Sequence, residues 1–226
     1  MKKIIKWAVS IIGILLIISI GIIGYISYQN YEAQKFVSNL NMVNQSVKFD
    51  NQTKRFKDNS TNVNNDMSIS KMVSIQKKAI SKEVDKQITG EIQIPALGLS
   101  LPIFYGANQF TLSLGVATYF YEDAEMGKGN FVLAGHNMER PGVLFSDIPK
   151  LSVGDEMNLI GKDKTFKYHV KSKYIVPEYY QLIDGVPESN TFLSLPKEGE
   201  KPLLTLFTCV YTSNGKERYV VQGELQ

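Results

Sequence analysis

Leu203-Leu204-Thr205-Leu206-Phe207-Thr208-Cys209 is an apolar, strand-like run that ends on a thiol, and the 226-residue chain has no other cysteine. Asn214-Gly215 follows, the strongest short hairpin signal, and beyond it Arg218 to Gly223 reads as the returning strand. If Asn214 and Gly215 are the two central turn residues, Ser213 pairs with Lys216, Thr212 with Glu217 and Tyr211 with Arg218. Directly paired residues share a face, as do residues two apart on one strand, so Cys209, Tyr211 and Arg218 point the same way. Cys209 and Arg218 then become diagonal neighbours, roughly 7 to 8 Å apart at their backbones and within reach of a long side chain. A looser turn shifts that register by one.

Upstream, short apolar segments alternate with turn signals from Ile88 onward, the pattern of a mostly β domain. Candidate strands are Gly90 to Ile94, Leu101 to Tyr105, Ala117 to Phe120, Phe131 to Ala134, Glu156 to Ile160 and Phe166 to Val176, besides the two of the hairpin. That set suggests a closed barrel or a sandwich. Short helical turns fit around Phe110 to Leu114, Val143 to Ile148 and Thr191 to Leu195, each too brief to define an α/β fold.

Glycine and proline mark the boundary of this domain. Between Gly24 and Gly90 there is neither, whereas all 8 prolines lie beyond residue 90. The intervening stretch, for example Asn59-Ser60-Thr61-Asn62-Val63-Asn64-Asn65, lacks the apolar content for a core and reads as a polar stalk, disordered or partly helical. Within it, Ile69, Met72, Ile75, Ile80 and Val84 recur at loosely helical spacing, so a short amphipathic helix is expected between Met67 and Val84. Further upstream, Trp7 to Ile26 carries no charge and matches the roughly 20 residues that cross a bilayer. The run lacks the small-residue cleavage pattern of a signal peptide. Lys2, Lys3 and Lys6 precede it, which puts the N-terminus in the cytoplasm and everything from about residue 29 onward outside.

An extracytoplasmic domain with a single cysteine cannot staple itself internally, and residues 88–226 suffice for an ordinary hydrophobic core without disulfides. A lone cysteine is commonly a small buried hydrophobe, so a functional reading needs a base and an anion-stabilising group. Arginine is scarce, with only Arg55, Arg140 and Arg218, and the one facing the thiol offers a fixed fork of donors that stays charged. The chain has 2 histidines. His169 falls on the lysine-bearing polar face of Lys164 to Lys171, where solvent exposure explains it. His136 ends the strand-like Asn130-Phe131-Val132-Leu133-Ala134-Gly135, a position where catalytic groups sit on a rigid scaffold, and is the preferred base. The formal net charge of +3 is modest, and no nucleic-acid footprint is present.

Thr205-Leu206-Phe207-Thr208-Cys209 resembles the Thr-Leu-x-Thr-Cys signature of sortases, Gly135-His136-Asn137 resembles their histidine segment, and Arg218 stands on the next strand where their arginine does. The resemblance spans the anchor and residues 88–226. It implies an eight-stranded sortase-type β-barrel with short helices, preceded by a transmembrane helix and stalk. The division it suggests is a cytoplasmic tip at 1–6, an anchor at 7–28, a polar stalk at 29–87 and a catalytic domain at 88–226. It further implies a membrane-anchored cysteine transpeptidase of a Gram-positive bacterium, with Cys209 as nucleophile, His136 handling protons and Arg218 supporting the oxyanion. Sortases cut a Leu-Pro-x-Thr-Gly sorting signal of a surface protein between Thr and Gly and pass the acyl group, through a thioester, to an amine of a lipid-linked cell-wall precursor.

By the same resemblance, Ala134 and Thr205 line the substrate groove with Phe207, Thr208 and Ile183, and the segment Val176 to Val186 forms one wall, where Pro177, Tyr179 and Tyr180 also offer contacts. With no apolar segment after Gly223, the pattern is most like class A, the housekeeping type, with class D as the rival. Some class A sortases bind calcium, for which Glu122, Asp123 and Glu125 with Asp184 or Glu188 offer oxygens. Lys128 and its flanking glycines stand where a further acid is wanted, so no calcium requirement and no other cofactor are expected. A cysteine hydrolase that passes its thioester to water, and a wall-associated module with a merely buried Cys209, are the alternatives outside this reading.

Overall fold

Short strands, some alternating in burial as at Ile88–Ile94 and some buried throughout as at Asn130–Ala134, close into a barrel within residues 88–226. The structure is a computed structural model that describes residues 2–45, 68–178, 182–183, 186–187 and 192–226. Its strands are β1 (Ile88–Ile94), β2 (Leu99–Phe104), β3 (Val116–Thr118), β4 (Asn130–Ala134), β5 (Glu156–Ile160), β6 (Thr165–Pro177), β7 (Leu182–Ile183), β8 (Val186–Pro187), β9 (Leu203–Thr212) and β10 (Gly215–Leu225). The order around the closed barrel is β1-β2-β3-β4-β9-β10-β6-β5, while β7 and β8 pair with each other alone. Each of the eight strands expected from the sequence is present. Closure leaves the barrel itself without a free sheet edge to template association.

Two of the pairings are parallel, β2 with β3 and β4 with β9. The first needs a crossover, and α3 (Gln109–Leu114) supplies it, started by Asn108, whose side chain accepts from the N–H groups of Phe110 and Thr111 while Thr111 Oγ1 accepts from Asn108 N–H. The helical turn expected at Val143 to Ile148 does not form. Leu144 has φ 47°, outside the right-handed helical region, and pairs with Asn137 in an isolated bridge, so only a 3-10 turn at Ile148–Lys150 follows. Of the third expected helical turn, Thr191 lies outside the described residues, and Phe192 and Leu193 form a turn.

The hairpin register differs from the sequence expectation. Thr212 pairs with Gly215, Tyr211 with Lys216 and Cys209 with Arg218, so the turn is centred on Ser213-Asn214. The two-residue turn that favours Asn-Gly requires positive φ at both residues; here only Gly215 has it, at 102°, while Thr212 Oγ1 accepts from Asn214 N–H at 3.1 Å. Gly215 therefore closes the turn instead of occupying its centre. Because the change moves each partner by two residues, the shared face of Cys209, Tyr211 and Arg218 survives it.

Helix α1 (Lys2–Gln45) continues well past the apolar run, and α2 (Ile69–Ser81) falls where the amphipathic spacing places a helix. The stretch expected as a stalk is thus helical at both ends among its described residues, and it packs on the domain. Phe36, Leu40 and Val43 of α1 are buried, Asn39 Nδ2 donates to Gln76 Oε1 at 3.0 Å, and the buried Gln76 of α2 donates in turn to the Ser113 carbonyl at 3.0 Å. By contrast the side chains of Ile11 to Ile26 on α1 are exposed, and the helix is long and apolar enough to cross a membrane.

Candidate active site

Parallel pairing of β4 with β9 positions the site. Its register, Ala134 opposite Phe207, continues beyond the end of β4 through three hydrogen bonds: Gly135 N–H to Phe207 O at 3.2 Å, Thr208 Oγ1 to Gly135 O at 2.8 Å and Asn137 Nδ2 to Cys209 O at 3.2 Å. Carried two residues on from Ala134 and Phe207, that register sets His136 beside Cys209, on chains that run about 4.8 Å apart. Gly135 precedes His136 because the ring of Phe145 lies against it; a Cβ there would stand 2.5 Å from Phe145 Cδ2.

The other side of the thiol is set by the hairpin. Arg218 lies directly opposite Cys209 and its Nη1 donates to Cys209 Sγ, while Nη2 donates to Glu178 Oε1 at 2.9 Å. The guanidinium also stands over the Phe207 ring, 5.9 Å from its centroid. Cys209, Arg218 and His136 line one cavity of about 330 Å³, whose walls are completed by Ala134, Gly135, Phe207, Thr208, Ala107, Leu112, Tyr119 and Glu178.

Burial dominates the ionisation of the pair. It pushes the Cys209 thiol up, and the Arg218 and Lys216 charges only partly oppose it while Glu178 adds to the rise. His136 is 6% exposed and is pushed down to about 4, by burial first and the Arg218 charge second. Both groups are therefore neutral at pH 7. His136 Nε2 is buried with no hydrogen-bond partner among the described residues, an arrangement that leaves it able to take a proton. A thiol between an arginine fork and a neutral imidazole is equipped to attack a carbonyl and hold the resulting oxyanion.

The His136 shift has a consequence for stability. The unfolded imidazole takes a proton near 6.5 and the folded one near 4, so the unfolded state binds more protons between those values and stability falls as pH drops through that window. At roughly 1.4 kcal/mol per pKa unit, the loss reaches about 3 kcal/mol by pH 4. Thermal denaturation from pH 7 to pH 4 should show a steeper decline in wild type than in His136→Gln; equal slopes would contradict it.

Of the expected groove residues, Ala134, Phe207 and Thr208 line the cavity, and Thr205 does not. Thr205 is fully buried, its hydroxyl donating to Asn130 Oδ1 at 2.7 Å and accepting from Gln222 Nε2 at 3.0 Å, in a network that ties β4, β9 and β10 together inside the barrel. Position along the strand is the reason: Thr205 and Phe207 share a face, but Thr205 lies farther from the strand end that opens on the cavity. Ile183 lies in β7, and its side chain, like all of Tyr179, Tyr180, Asp184 and Glu188, is outside the described residues. Glu122 and Asp123 are exposed, and Glu125 is engaged by Lys128 Nζ at 2.5 Å. Among the described residues no three His, Cys, Asp or Glu side chains gather to hold a metal. Sequence reading did not single out Glu178 or Tyr119 and named Asn137 only as part of the Gly135-His136-Asn137 segment; of the first two, only Glu178 carried a signal, being the acid directly after Pro177 at the end of the long strand.

The sortase domain family model matches residues 92–226. The chain is 32% identical to sortase A of Bacillus anthracis, over 96% of this chain and 93% of that protein. It is 30% identical to sortase A of Listeria monocytogenes, over 100% of this chain and 92% of that protein. The crystal structure of Listeria monocytogenes sortase A superposes with a TM-score of 0.52 at 30% identity, covering 62% of this chain and 87% of that structure. With the barrel order and the thiol at the end of β9, these likenesses show that the chain belongs to the sortase family of cysteine transpeptidases and is most like sortase A.

Proposed function

We propose that the apolar part of α1 anchors this sortase in the cell membrane, N-terminus in the cytoplasm and catalytic domain outside, and that Cys209, His136 and Arg218 carry acyl transfer from a Leu-Pro-x-Thr-Gly sorting signal to an amine of a peptidoglycan precursor. The observation that carries the reading is the shared cavity, which the residues bearing the thiol, the imidazole and the guanidinium line together.

Cys209 Sγ attacks the threonine carbonyl carbon as His136 Nε2 takes the thiol proton. The carbonyl electron pair moves onto oxygen, where Arg218 donors stabilise it. Collapse breaks the bond between Thr and Gly, and the imidazolium returns its proton to the departing amine, leaving a thioester. An incoming amine attacks that thioester, gives its proton to His136, and the carbon–sulfur bond breaks to free Cys209. Because both partners are neutral at rest, the thiolate–imidazolium pair is a minor species and proton transfer accompanies attack. Ala134, Phe207, Thr208 and Ile183 contact the signal peptide.

The test is a Leu-Pro-x-Thr-Gly peptide incubated with enzyme and an oligoglycine or other amine acceptor, read by mass spectrometry. A ligated product supports the proposal; hydrolysis alone identifies a cysteine hydrolase, and no cleavage on any variant of the signal defeats it. We also propose that no metal is needed, since the Lys128 ammonium already holds the Glu125 carboxylate. Ligation should survive excess chelator; activity lost to the chelator and restored by calcium would refute this.

A further inference from the structure

Strand β10 lies between β9 and β6, so Arg218 has neighbours on both sides. On β9 it meets Cys209. On β6, Glu217 pairs with Pro177 and Arg218 with Val176, and one step further the same register sets Lys216 opposite Glu178 with Arg218 diagonal to it. The side chains follow. Glu178 Oε1 accepts from Arg218 Nη2 and from Lys216 Nζ, both at 2.9 Å, with Arg218 17% and Glu178 25% exposed. One carboxylate thus joins two cations at the cavity wall, and it fixes the end of the guanidinium that does not touch sulfur.

We propose that Glu178 is a positioning residue for acyl transfer, which holds the Arg218 fork across the Cys209 thiol so that its remaining N–H donors face the position of the oxyanion. This rests on the roles given above to Cys209 and Arg218. Arginine is long and has many rotamers; anchored at one end by sulfur alone it would swing, whereas a second, charge-assisted bond leaves it one orientation over Phe207. Preorganised donors are effective because they need no reorganisation when charge develops. The carboxylate has a second effect. The charged and titratable groups facing the thiol are Arg218 and Lys216 from β10, Glu178 from the end of β6 and His136 from the end of β4, with the Tyr119 phenol on the same wall. Glu178 is the negative member of that set, and it adds to the rise that burial gives the thiol, offsetting part of the opposing effect of the two cations.

The two effects give a signature that a merely structural residue lacks. In Glu178→Ala the guanidinium loses its anchor and kcat for peptide transfer should fall roughly tenfold to a hundredfold. At the same time the midpoint of Cys209 alkylation against pH should move down, so the thiol reacts faster with a small alkylating reagent at pH 7 while turnover is slower. Glu178→Gln keeps an oxygen for Arg218 but removes the charge. It should recover most of the lost kcat and still show the lowered alkylation midpoint. Unchanged kcat in Glu178→Ala, or a fall in kcat with a wild-type alkylation profile, overturns the proposal. Cys209→Ala and Arg218→Ala run alongside separate the two levels: if both are inactive and Glu178→Ala behaves as wild type, only the role of Glu178 fails. If either keeps wild-type turnover, the underlying catalytic reading fails.

Discussion

Cys209→Ala is expected to lower amine transfer from a Leu-Pro-x-Thr-Gly peptide on the order of 10⁴-fold or more, the scale of loss when the nucleophile of a cooperating set is removed. The change deletes one sulfur from a half-buried residue at the end of β9 and leaves the strand ladder untouched. Arg218 keeps its bond to Glu178, so the fold should survive. Circular dichroism and melting temperature close to wild type, with no ligation product, is the predicted outcome. Turnover above about a tenth of wild type would remove Cys209 from the chemistry, since no other thiol exists to replace it.

The second large effect belongs to Arg218. Removing one oxyanion donor typically costs on the order of 10² to 10³ in kcat, and here the same side chain also lowers the thiol's proton affinity through its charge and its hydrogen bond. Arg218→Ala should therefore lower kcat by about that factor, and it should slow alkylation of Cys209 at pH 7. Arg218→Lys should restore the charge but little of the turnover, because a single ammonium on a flexible stem cannot bridge Cys209 and Glu178 as a planar fork does. A lysine variant with wild-type kcat would show that charge alone suffices and that the fork geometry is irrelevant.

Local pattern carried the sequence a long way in this protein. Strands with clean alternation or buried runs, such as Glu156 to Ile160 and Phe166 to Val176, were legible because each is bounded by its own turn residues. The same-face relation of Cys209 and Arg218 was legible because it depends only on parity. The register itself was not, since Asn214-Gly215 serves two kinds of turn that differ in where the positive φ falls. Leu144 gives no sequence sign of its positive φ, so the segment from Val143 looked helical. His136 could be chosen as the base but not placed beside Cys209. Its position comes from parallel pairing of β4 with β9, a contact between residues far apart in the chain that no local pattern announces. Thr205 and Glu178 make the same point from opposite directions. Thr205 lies on a strand and Glu178 just past the end of one, with faces that were predictable; which end of a strand opens on the cavity is decided by how the barrel closes.

The most direct test of the catalytic proposal is to mix the enzyme with a Leu-Pro-x-Thr-Gly peptide, quench in acid within one turnover and measure the intact mass. An adduct of the peptide through its threonine acyl group, mapped to Cys209 and discharged by added amine, is the predicted result. Cleavage that proceeds with no acyl adduct on Cys209 at any quench time, and an unmodified Cys209 throughout, would contradict it.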